Sequence, residues 1–367
     1  MVRIAIVGTR GIPNRYGGFE QNAENLAAQF HDAGHDVTVF NPHDHPYKLP
    51  TWQGVKIRRR FWHERRLGAL GIFLYDYLCL AAAFRENFDI VLELGYAPSA
   101  LYHFLRPAKG PKIITNMDGL EWRRAKWGPF ARRILLFCEG LASRTSDAMI
   151  ADNPAIREYL LAKYKRQAYY VPHGAALLED PDPSVCGNYG VAEREYYMLL
   201  ARMEPENNIE TVLDGTISSG DGRAVLVVGG CDGRYGRFLK GKYRKYPHIR
   251  FLGAVYEQRA VSSLRRFAKL YFHGHSVGGT NPSLLEAMGA GAYIAAHDNV
   301  FNRSVLREHA LYFTTADDVA HLMKTYNEEM RDAFAAANRQ KLEQTYNWNL
   351  VGRAYLTIFE TLLNGGG

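Results

Sequence analysis

The sequence has little cysteine, no leader pattern and no long uninterrupted apolar run. Only four cysteines occur in 367 residues, without a Cys-x-x-Cys pair or a histidine at ligand spacing. Neither a zinc site nor a disulfide framework is therefore indicated, and a reducing cytoplasm is the simplest compartment. The chain starts directly with a strand pattern, so we expect no signal peptide. The longest apolar run, 67–84, contains Asp76, whose charge is costly at mid-bilayer, so we expect a buried or interfacial helix there.

Acidic residues are outnumbered by basic ones, 38 against 45, which gives a formal net charge of +7. A positive net charge suits binding to nucleic acid, to an anionic membrane surface or to an anionic substrate. No nucleic-acid-binding motif occurs, so we expect no nucleic-acid partner. Basic residues cluster with aromatic ones, which is typical of a membrane interface, although a solvated basic face is the alternative. The clusters contain Arg58, Arg59, Arg60, Phe61, Trp62, Arg65 and Arg66, and then Trp122, Arg123, Arg124, Trp127, Phe130, Arg132 and Arg133.

Strand and helix patterns alternate along both halves of the chain. In the first half, strand patterns occupy 3–7, 36–40, 90–93, 112–115, 148–151 and 168–171. A connector rich in proline and acidic residues follows position 172, and the alternation resumes from 196 to 296. This order predicts right-handed crossovers and two doubly wound parallel sheets. We place the domains at 1–172 and 173–347, with a final helical segment at 348–367.

The stretch 271–291 is the most informative. An apolar strand pattern leads into a glycine-rich loop, and Pro282 opens a helix. The adjacent glycines Gly278 and Gly279 let the main chain approach a ligand, and the helix N-terminus attracts phosphate. Glu286, one turn into the helix, could accept hydrogen bonds from a sugar hydroxyl. An anion beside a polyol indicates a nucleotide or a nucleotide sugar.

The loop from Gly8 to Glu20 follows the first strand, at the edge of an open α/β sheet where ligands bind. It lacks the Gly-x-Gly-x-x-Gly fingerprint, and Phe40-Asn41 supplies no acidic residue after the second strand. A dinucleotide site is therefore excluded. A long turn that needs flexible residues is the alternative to a ligand-binding role.

The stretch 271–291 resembles the donor-binding signature of retaining GT-B glycosyltransferases of family four, in which a Glu-x7-Glu pattern ends in Glu-Ala-Met. Glu286 matches the second glutamate, and Gly278 stands at the position of the first. Together with the N-terminal loop, the sequence Gly-Gly-Thr-Asn-Pro-Ser resembles a narrower branch, the bacterial rhamnosyltransferase-like proteins of polysaccharide biosynthesis. The resemblance implies the GT-B fold. This fold has two Rossmann-like, doubly wound parallel-sheet domains facing a central cleft, and a last helix that crosses back to the first domain.

In this resemblance the second domain binds a nucleotide-sugar donor. Arg202 matches the arginine that meets the donor diphosphate, a contact that suits its fork of N–H groups. Asn207 stands at a lysine position, and Leu252 and Gly253 lie in the loop that contacts the nucleobase. The expected donor-binding residues are Gly17, Gly18, Arg202, Asn207, Leu252, Gly253, Gly278, Gly279, Thr280, Asn281 and Glu286.

The stretch 115–124 also follows a strand and combines carboxylates, a tryptophan and arginines, which suit a carbohydrate attached to phosphate. Many relatives carry a histidine here, whereas this chain has Asn116 and, next to it, Met117. Either Asp118 or the main chain alone takes that role, and we expect Asp118 to be catalytic together with Arg202 and Glu286. The alternative is an aspartate that caps a helix and a tryptophan that fills an apolar gap. The expected acceptor-binding residues are Arg15, Tyr16, Glu121, Trp122 and Arg123.

An Asp-Pro-Asp triplet at 180–182 superficially matches a metal-binding Asp-x-Asp motif, but it lies between prolines, and we interpret it as a turn. GT-B enzymes generally use helix dipoles and basic side chains in place of Mg²⁺. We therefore expect no metal and no cofactor besides the nucleotide-sugar substrate.

The function implied is that of a retaining hexosyltransferase of bacterial cell-surface polysaccharide synthesis. The resemblance suggests dTDP-L-rhamnose as donor and a glycan linked to polyprenyl diphosphate as acceptor. The expected location is cytoplasmic, peripheral on the inner face of the plasma membrane. Two other classes stay open: a sugar-nucleotide 2-epimerase of the same fold, and a non-catalytic binder of nucleotide sugars.

Overall fold

The computed structural model describes residues 1–15, 17–61, 69–117 and 119–365. The chain forms two compact units. The first unit contains Met1–Trp122, Trp127–His173 and Trp348–Gly367, and the second contains Arg123–Lys126 and Gly174–Asn347.

Strands and helices alternate along most of the described ranges. Up to the connector the elements are β1 (Arg3–Val7), α1 (Gly18–Asp32), β2 (Asp36–Pro42), β3 (Thr51–Trp52), β4 (Val55–Arg60), α2 (Ala69–Arg85), β5 (Ile90–Leu94), β6 (Lys112–Asn116), α3 (Pro129–Thr145), β7 (Ala148–Ala151), α4 (Pro154–Tyr164) and β8 (Tyr169–Tyr170). After it come α5 (Ser184–Asn188), β9 (Tyr196–Leu200), α6 (Ile209–Ser219), β10 (Ala224–Val228), α7 (Arg234–Lys242), β11 (Ile249–Gly253), α8 (Gln258–Phe267), β12 (Leu270–His273), α9 (Pro282–Ala290), β13 (Ile294–His297), α10 (Val300–Leu306), β14 (Leu311–Phe313), α11 (Ala316–Thr325), α12 (Glu329–Thr345) and α13 (Trp348–Asn364). Short 3₁₀ turns occupy Ser99–Leu105, Glu121–Arg123 and Pro205–Asn207.

In the first unit the described strands form one eight-stranded sheet in the order β3-β4-β2-β1-β5-β6-β7-β8. Its neighbours pair in parallel except for the antiparallel pair β3–β4. Successive residues of β1 face opposite sides of the sheet. Ile4 and Ile6 pack in one apolar cluster with residues of α1 and α13, and Ala5 and Val7 pack in another with residues of α2.

The hairpin of β3 and β4 was not anticipated. In β4 the buried residues Val55 and Ile57 alternate with Lys56 and Arg58, which are exposed. This is the period-two pattern of a half-buried strand, but its charged positions indicated a basic surface cluster instead.

The C-terminal helix α13 belongs to the first unit and packs on α1. Phe30 of α1 lies edge-on between Tyr355 and Phe359, with ring centroids 6.1 and 5.1 Å away. At the start of α13, the ring of Trp348 lies 5.1 Å from that of His173.

In the second unit the described strands form a six-stranded sheet in the order β11-β10-β9-β12-β13-β14, with every neighbouring pair parallel. Alternate residues of β9 again face two apolar clusters: Tyr196 and Met198 pack in one, Tyr197 and Leu199 in the other. The predicted α/β class with two parallel sheets is confirmed.

None of the described helices is both long enough and apolar enough to cross a bilayer. Helix α2 contains most of the apolar run noted above, and it packs on the sheet through buried residues that include Tyr75 and Leu80. Asp76 is buried in the same helix, and burial, with the nearby Glu93, raises the pKa of its carboxyl well above the usual range.

Candidate functional site

In the second unit, two loops at the carboxyl edge of the sheet are joined by hydrogen bonds. Strands β9 and β12 are neighbours, so the loops that follow them leave the sheet side by side. Ser276 donates to the main-chain oxygen of Glu206 from both its amide nitrogen and its Oγ, at 3.0 and 2.8 Å. Asn208 Nδ2 donates to the oxygen of Gly274 at 2.8 Å. A Cβ at Gly274 would lie 2.1 Å from the oxygen of Asn207, so this contact requires glycine.

Helix α9 starts as the sequence predicts, immediately after the glycine-rich loop. Pro282 is its first residue, and Asn281 caps it by accepting a hydrogen bond from the amide of Ser283 at 2.9 Å. Gly278 has φ +136°, a conformation that side chains rarely adopt. Thr280 is buried and Gly279 is half-buried. Asn281 is expected to bind the donor, and its side-chain oxygen also stabilises the start of α9.

Glu286 of α9 forms an ion pair with Arg265 of α8. Arg265 Nη2 lies 2.8 Å from Glu286 Oε2; the arginine side chain is 0% exposed and the glutamate side chain 20% exposed. The same nitrogen donates to Ser283 Oγ at 3.2 Å, and the guanidinium lies 5.6 Å from the ring centroid of Tyr271. Burial opposes the charged form of Arg265, but Glu286 and Tyr271 outweigh it and raise its pKa. Glu286 is thus held from the buried side.

Arg265 was missed in the sequence analysis. It is adjacent to Arg266 in a short helix with several polar residues, a pattern that indicates an exposed face. Its fit to Glu286 depends on the packing of α8 against α9, which no spacing along the chain reveals.

Arg202 follows β9 and is exposed. The amide group of Asn207 is buried and donates to the main-chain oxygen of Arg202 at 2.7 Å. Asn207, which stands at the lysine position, therefore fixes the loop that carries Arg202. Arg124 is a second arginine near this loop, and its Nη1 lies 3.9 Å from Oε2 of Glu204.

His275 lies within the field of these arginines and stays neutral. Burial, with Arg202 and Arg124, lowers the pKa of His275 to about 3. Its ring stacks on that of His273 at 4.5 Å, and burial lowers the pKa of His273 well below the usual range. Neither ring nitrogen of His273 has a hydrogen-bond partner among the described residues. The positive charge beside the glycine-rich loop therefore comes from arginine and not from histidine.

Leu252 and Gly253, expected to contact the nucleobase, end strand β11 and are half-buried. Gly253 has φ +76° and accepts a hydrogen bond from the amide of Gly229 at 2.8 Å. The main chain at this point is thereby tied to the end of β10.

In the first unit, the loop after β1 is held by Asn41. This residue is 0% exposed; its Nδ2 donates to the oxygen of Ile12 at 2.7 Å, and its Oδ1 accepts from the amide of Ile12 at 3.1 Å. Gly11 has φ +94°, and a Cβ there would lie 2.6 Å from Cγ of Asn41. Asn41 stands at the end of β2, where a dinucleotide site would need an acidic residue. Its role here is to hold the loop after β1 in place.

Helix α1 begins at Gly18, with Gly17 as its N-cap. In the same loop the amide of Arg10 donates to Oε1 of the buried Glu20 at 2.8 Å. A shallow cavity of about 230 Å³ lies beside these residues; its lining is formed by Arg10, Gly11, Arg15, Glu20, Pro42, Asp44, His45 and Pro46.

The expected acceptor-binding residues are distributed over both units. Asp118 and Tyr16 lie outside the described residues. Glu121 Oε1 accepts a hydrogen bond from Trp127 Nε1 at 2.9 Å, and Lys163 Nζ lies 5.7 Å from the ring centroid of Trp122. Arg123 is exposed and belongs to the short segment Arg123–Lys126 of the second unit.

Among the described residues, no group of three or more His, Cys, Asp or Glu side chains is placed to hold a metal ion. Asp182 of the Asp-Pro-Asp triplet accepts hydrogen bonds from the amide and the hydroxyl of Ser184, at 3.0 and 2.6 Å, in the turn before α5. Independence from metal stays a prediction.

Comparison with known proteins gives relatives for both sequence and fold. A family model described as a domain of unknown function (DUF1972) matches residues 1–176. The chain is 25% identical over 292 residues to the phosphatidyl-myo-inositol mannosyltransferase of Mycobacterium leprae, a match that covers 76% of this chain and 75% of that protein. It is 23% identical over 368 residues to the protein of the same name from Mycolicibacterium smegmatis, covering 95% and 92%.

Among solved structures, sucrose-phosphate synthase from Thermosynechococcus elongatus aligns over 100% of both chains with a TM-score of 0.85 and 16% identity. The two parallel-sheet domains therefore have the architecture of GT-B glycosyltransferases, as the sequence analysis predicted. The chain is of the GT-B glycosyltransferase type in fold and is similar in sequence to mannosyltransferases.

Proposed function

We propose that this protein is a retaining glycosyltransferase that uses a nucleoside-diphosphate sugar. The observation that carries the proposal is the arrangement around α9. The N-terminus of α9 follows the glycine-rich loop, and Arg202 lies in the loop after the neighbouring strand β9. Arg265 forms an ion pair with Glu286 from the buried side. A helix N-terminus and an arginine attract a diphosphate, and a fixed carboxylate accepts hydrogen bonds from sugar hydroxyls. The similarity to curated mannosyltransferases supports the same reaction class.

In the proposed mechanism the protein stabilises charge on the leaving group. As the bond between sugar and diphosphate breaks, negative charge grows on the diphosphate and positive charge on the sugar. Arg202 and the N–H groups at the start of α9 stabilise the diphosphate, and Glu286 orients the sugar. The acceptor hydroxyl attacks from the side of the leaving group and gives its proton to the departing diphosphate. Attack from that side retains the anomeric configuration. The donor we propose is dTDP-L-rhamnose, on the resemblance to the rhamnosyltransferase-like branch.

The acceptor we propose is a glycan linked to polyprenyl diphosphate, reached at a membrane surface. Helix α3 supports this location because Phe130 and Phe137 are 77% and 62% exposed, and Arg132 and Arg133 are exposed beside them. Exposed aromatic and basic side chains together suit an anionic bilayer surface.

The other basic cluster gives less support. Arg58 and Arg60 pair with Glu86 at 3.8 and 3.1 Å, and Arg59 donates to the oxygen of Leu49 at 2.9 Å. Phe61 is exposed, whereas Trp62, Arg65 and Arg66 lie outside the described residues.

The test is a transfer assay with dTDP-L-rhamnose, GDP-mannose and UDP-glucose, each with a polyprenyl-diphosphate-linked acceptor. We expect transfer from dTDP-L-rhamnose, a product with the anomeric configuration of the donor, and full activity in EDTA. Preference for another donor would show that the proposed sugar is wrong, and a product of inverted configuration would show that the proposed retention is wrong. Rescue of activity by Mg²⁺ after EDTA would refute metal independence. A new sugar nucleotide formed without acceptor would identify an epimerase, and binding without turnover a non-catalytic binder.

A further inference from the structure

Helix α7 and the turn after it give the second unit a strongly basic outer surface. From position 234 to position 245 the chain has no acidic residue, and every basic residue in this segment is exposed. These residues are Arg234, Arg237, Lys240, Lys242, Arg244 and Lys245. The candidate site uses none of them, so the surface calls for a separate explanation.

The inner side of α7 is fixed to the second unit. Leu239 is 0% exposed and packs in one of the two apolar clusters of the sheet. Tyr235 Oη donates to Glu210 Oε2 of α6 at 2.9 Å. Lys242 Nζ donates to Glu210 Oε1 at 2.8 Å and to Asp214 Oδ2 at 2.9 Å. The acidic side chains of α6 are thereby engaged by Lys242, on one edge of the basic surface.

The other basic side chains of the segment have no acidic partner among the described residues; Lys242 alone is ion-paired there. Arg237 donates to the main-chain oxygen of Asp232, and Lys245 Nζ lies 5.2 Å from the ring centroid of Tyr246. Like charges on so short a segment repel one another, which lowers stability. An anionic surface placed against α7 would remove this repulsion.

Phe238 is a large apolar side chain within this basic surface, and it is 51% exposed. Its ring stacks on the ring of Tyr235, with the centroids 5.8 Å apart and the planes inclined by 23°. Because Tyr235 is itself held by Glu210, the stacking keeps the phenyl ring in place. A basic surface that served solubility alone would gain nothing from a half-exposed phenylalanine, whereas aromatic and basic side chains together suit the headgroup region of a bilayer.

We propose that segment 234–245 docks the second unit on an anionic lipid bilayer. The arginine and lysine side chains contact the lipid phosphates, and Phe238 enters the headgroup region between them. The segment contains no Ser, Thr, Asn or Gln, the uncharged side chains that hydrogen-bond to a protein surface or to base edges. A bilayer is therefore favoured over an acidic protein or a nucleic acid. The inference goes beyond the proposed function, since it requires no particular donor or acceptor.

The experiment measures binding of the whole chain to vesicles by co-sedimentation, at one fixed salt concentration. The vesicles consist of phosphatidylcholine alone or of phosphatidylcholine with phosphatidylglycerol, and we expect binding to the anionic ones. The double variant Lys240→Gln with Arg244→Gln should bind about 25-fold more weakly, because each basic side chain near an anionic surface contributes about fivefold. Phe238→Ala should bind about fivefold more weakly, as expected when half of a phenyl ring is no longer removed from water.

The matched control is the double variant Arg259→Gln with Lys324→Gln. It removes the same charge from exposed positions elsewhere in the second unit and should bind anionic vesicles as the wild type does. A DNA duplex and polyglutamate, two soluble polyanions, provide a second comparison. Phe238→Ala should leave binding to both unchanged, because neither offers an apolar interior to the ring. Melting temperatures without vesicles should stay equal in all variants, since the mutated side chains lie at the surface.

The inference is overturned if Lys240→Gln with Arg244→Gln binds anionic vesicles as the wild type does. An equal loss in the control double variant would also overturn it, because net charge alone would then explain the binding. If Phe238→Ala had no effect on vesicles and the wild type bound DNA or polyglutamate more tightly, the surface would belong to a nucleic acid or to an acidic protein.

Discussion

Arg265 and Glu286 form an ion pair whose two partners differ in their access to water: the arginine side chain is 0% exposed and the glutamate side chain 20%. Loss of the glutamate would leave an uncompensated charge in the interior. Loss of the arginine would leave a carboxylate that water can still reach. The two truncations should therefore have unequal costs.

We predict that Glu286→Gln lowers the free energy of unfolding by about 3–5 kcal/mol, the usual cost of an unpaired buried charge. Arg265→Met should cost less, and the double variant less than the sum of the two. Denaturant unfolding of all three proteins checks this as a double-mutant cycle. Additive costs would show that the pair is not coupled. Glu257→Gln, at an exposed position in the same unit, is the matched surface control and should unfold as the wild type does.

Arg202 should matter for the reaction and not for the fold, because its side chain is exposed. For Arg202→Ala we predict a kcat about 10²–10³-fold lower, since a contact that strengthens in the transition state is removed. The melting temperature should stay within error of the wild type. Steady-state kinetics and a thermal melt check this, with the exposed Arg259→Ala as control. A change confined to KM would assign Arg202 to uniform binding of the donor.

Acid should destabilise the second unit through His273, which is buried, and through the half-buried His275. Burial lowers the pKa of His275 to about 3 and the pKa of His273 well below the usual range, whereas both titrate near 6.5 when unfolded. Below about pH 6.5 the unfolded state binds more protons than the folded one. The free energy of unfolding therefore decreases as the pH is lowered, by up to about 1.4 kcal/mol per pH unit for each histidine. Above that pH these residues contribute no pH dependence.

Denaturant unfolding between pH 5 and pH 8 checks the sign and the slope. His273→Leu should flatten the acid limb and raise stability at pH 5, because it also removes a ring whose nitrogens have no partner in the described chain. His321→Gln, at an exposed position, is the control and should leave the profile unchanged. An unaltered slope in His273→Leu would refute the assignment.

Gly274 permits the close approach of the two loops at the candidate site. In Gly274→Ala the new methyl group would overlap the oxygen of Asn207, so we predict a loss of about 1–3 kcal/mol in stability and weaker binding of the sugar nucleotide. Gly230→Ala is the matched control, because a Cβ there meets nothing within 4 Å. Thermal melts and calorimetry decide; equal behaviour of the two variants would show that the loops can separate freely.

Local patterns were sufficient to predict the α/β class with two parallel sheets, but not the β3–β4 hairpin. Strands β1 and β7 begin and end at the predicted residues. Each contains a run of four buried apolar residues, a pattern that has few other interpretations. The start of α9 at Pro282 was equally clear, since proline fits the first position of a helix.

The candidate site was predictable only where residues lie in one loop. Glu286 was proposed from the loop and helix around it, and Arg202 from the resemblance of its segment to the glycosyltransferase family; both roles stay predictions. Arg265 was not identified, because its partner is 21 positions away and the contact arises from packing between helices.

The attachment of α13 to the first unit has a practical consequence for anyone who wishes to produce that unit alone. A fragment that stops at His173 would lack the rings of Tyr355 and Phe359 and would leave Phe30 uncovered. A fragment with both segments, 1–173 and 348–367, joined by a short flexible peptide, restores that contact. The main segment of the second unit, Gly174–Asn347, is continuous, and a fragment with these bounds would lack only the short segment Arg123–Lys126.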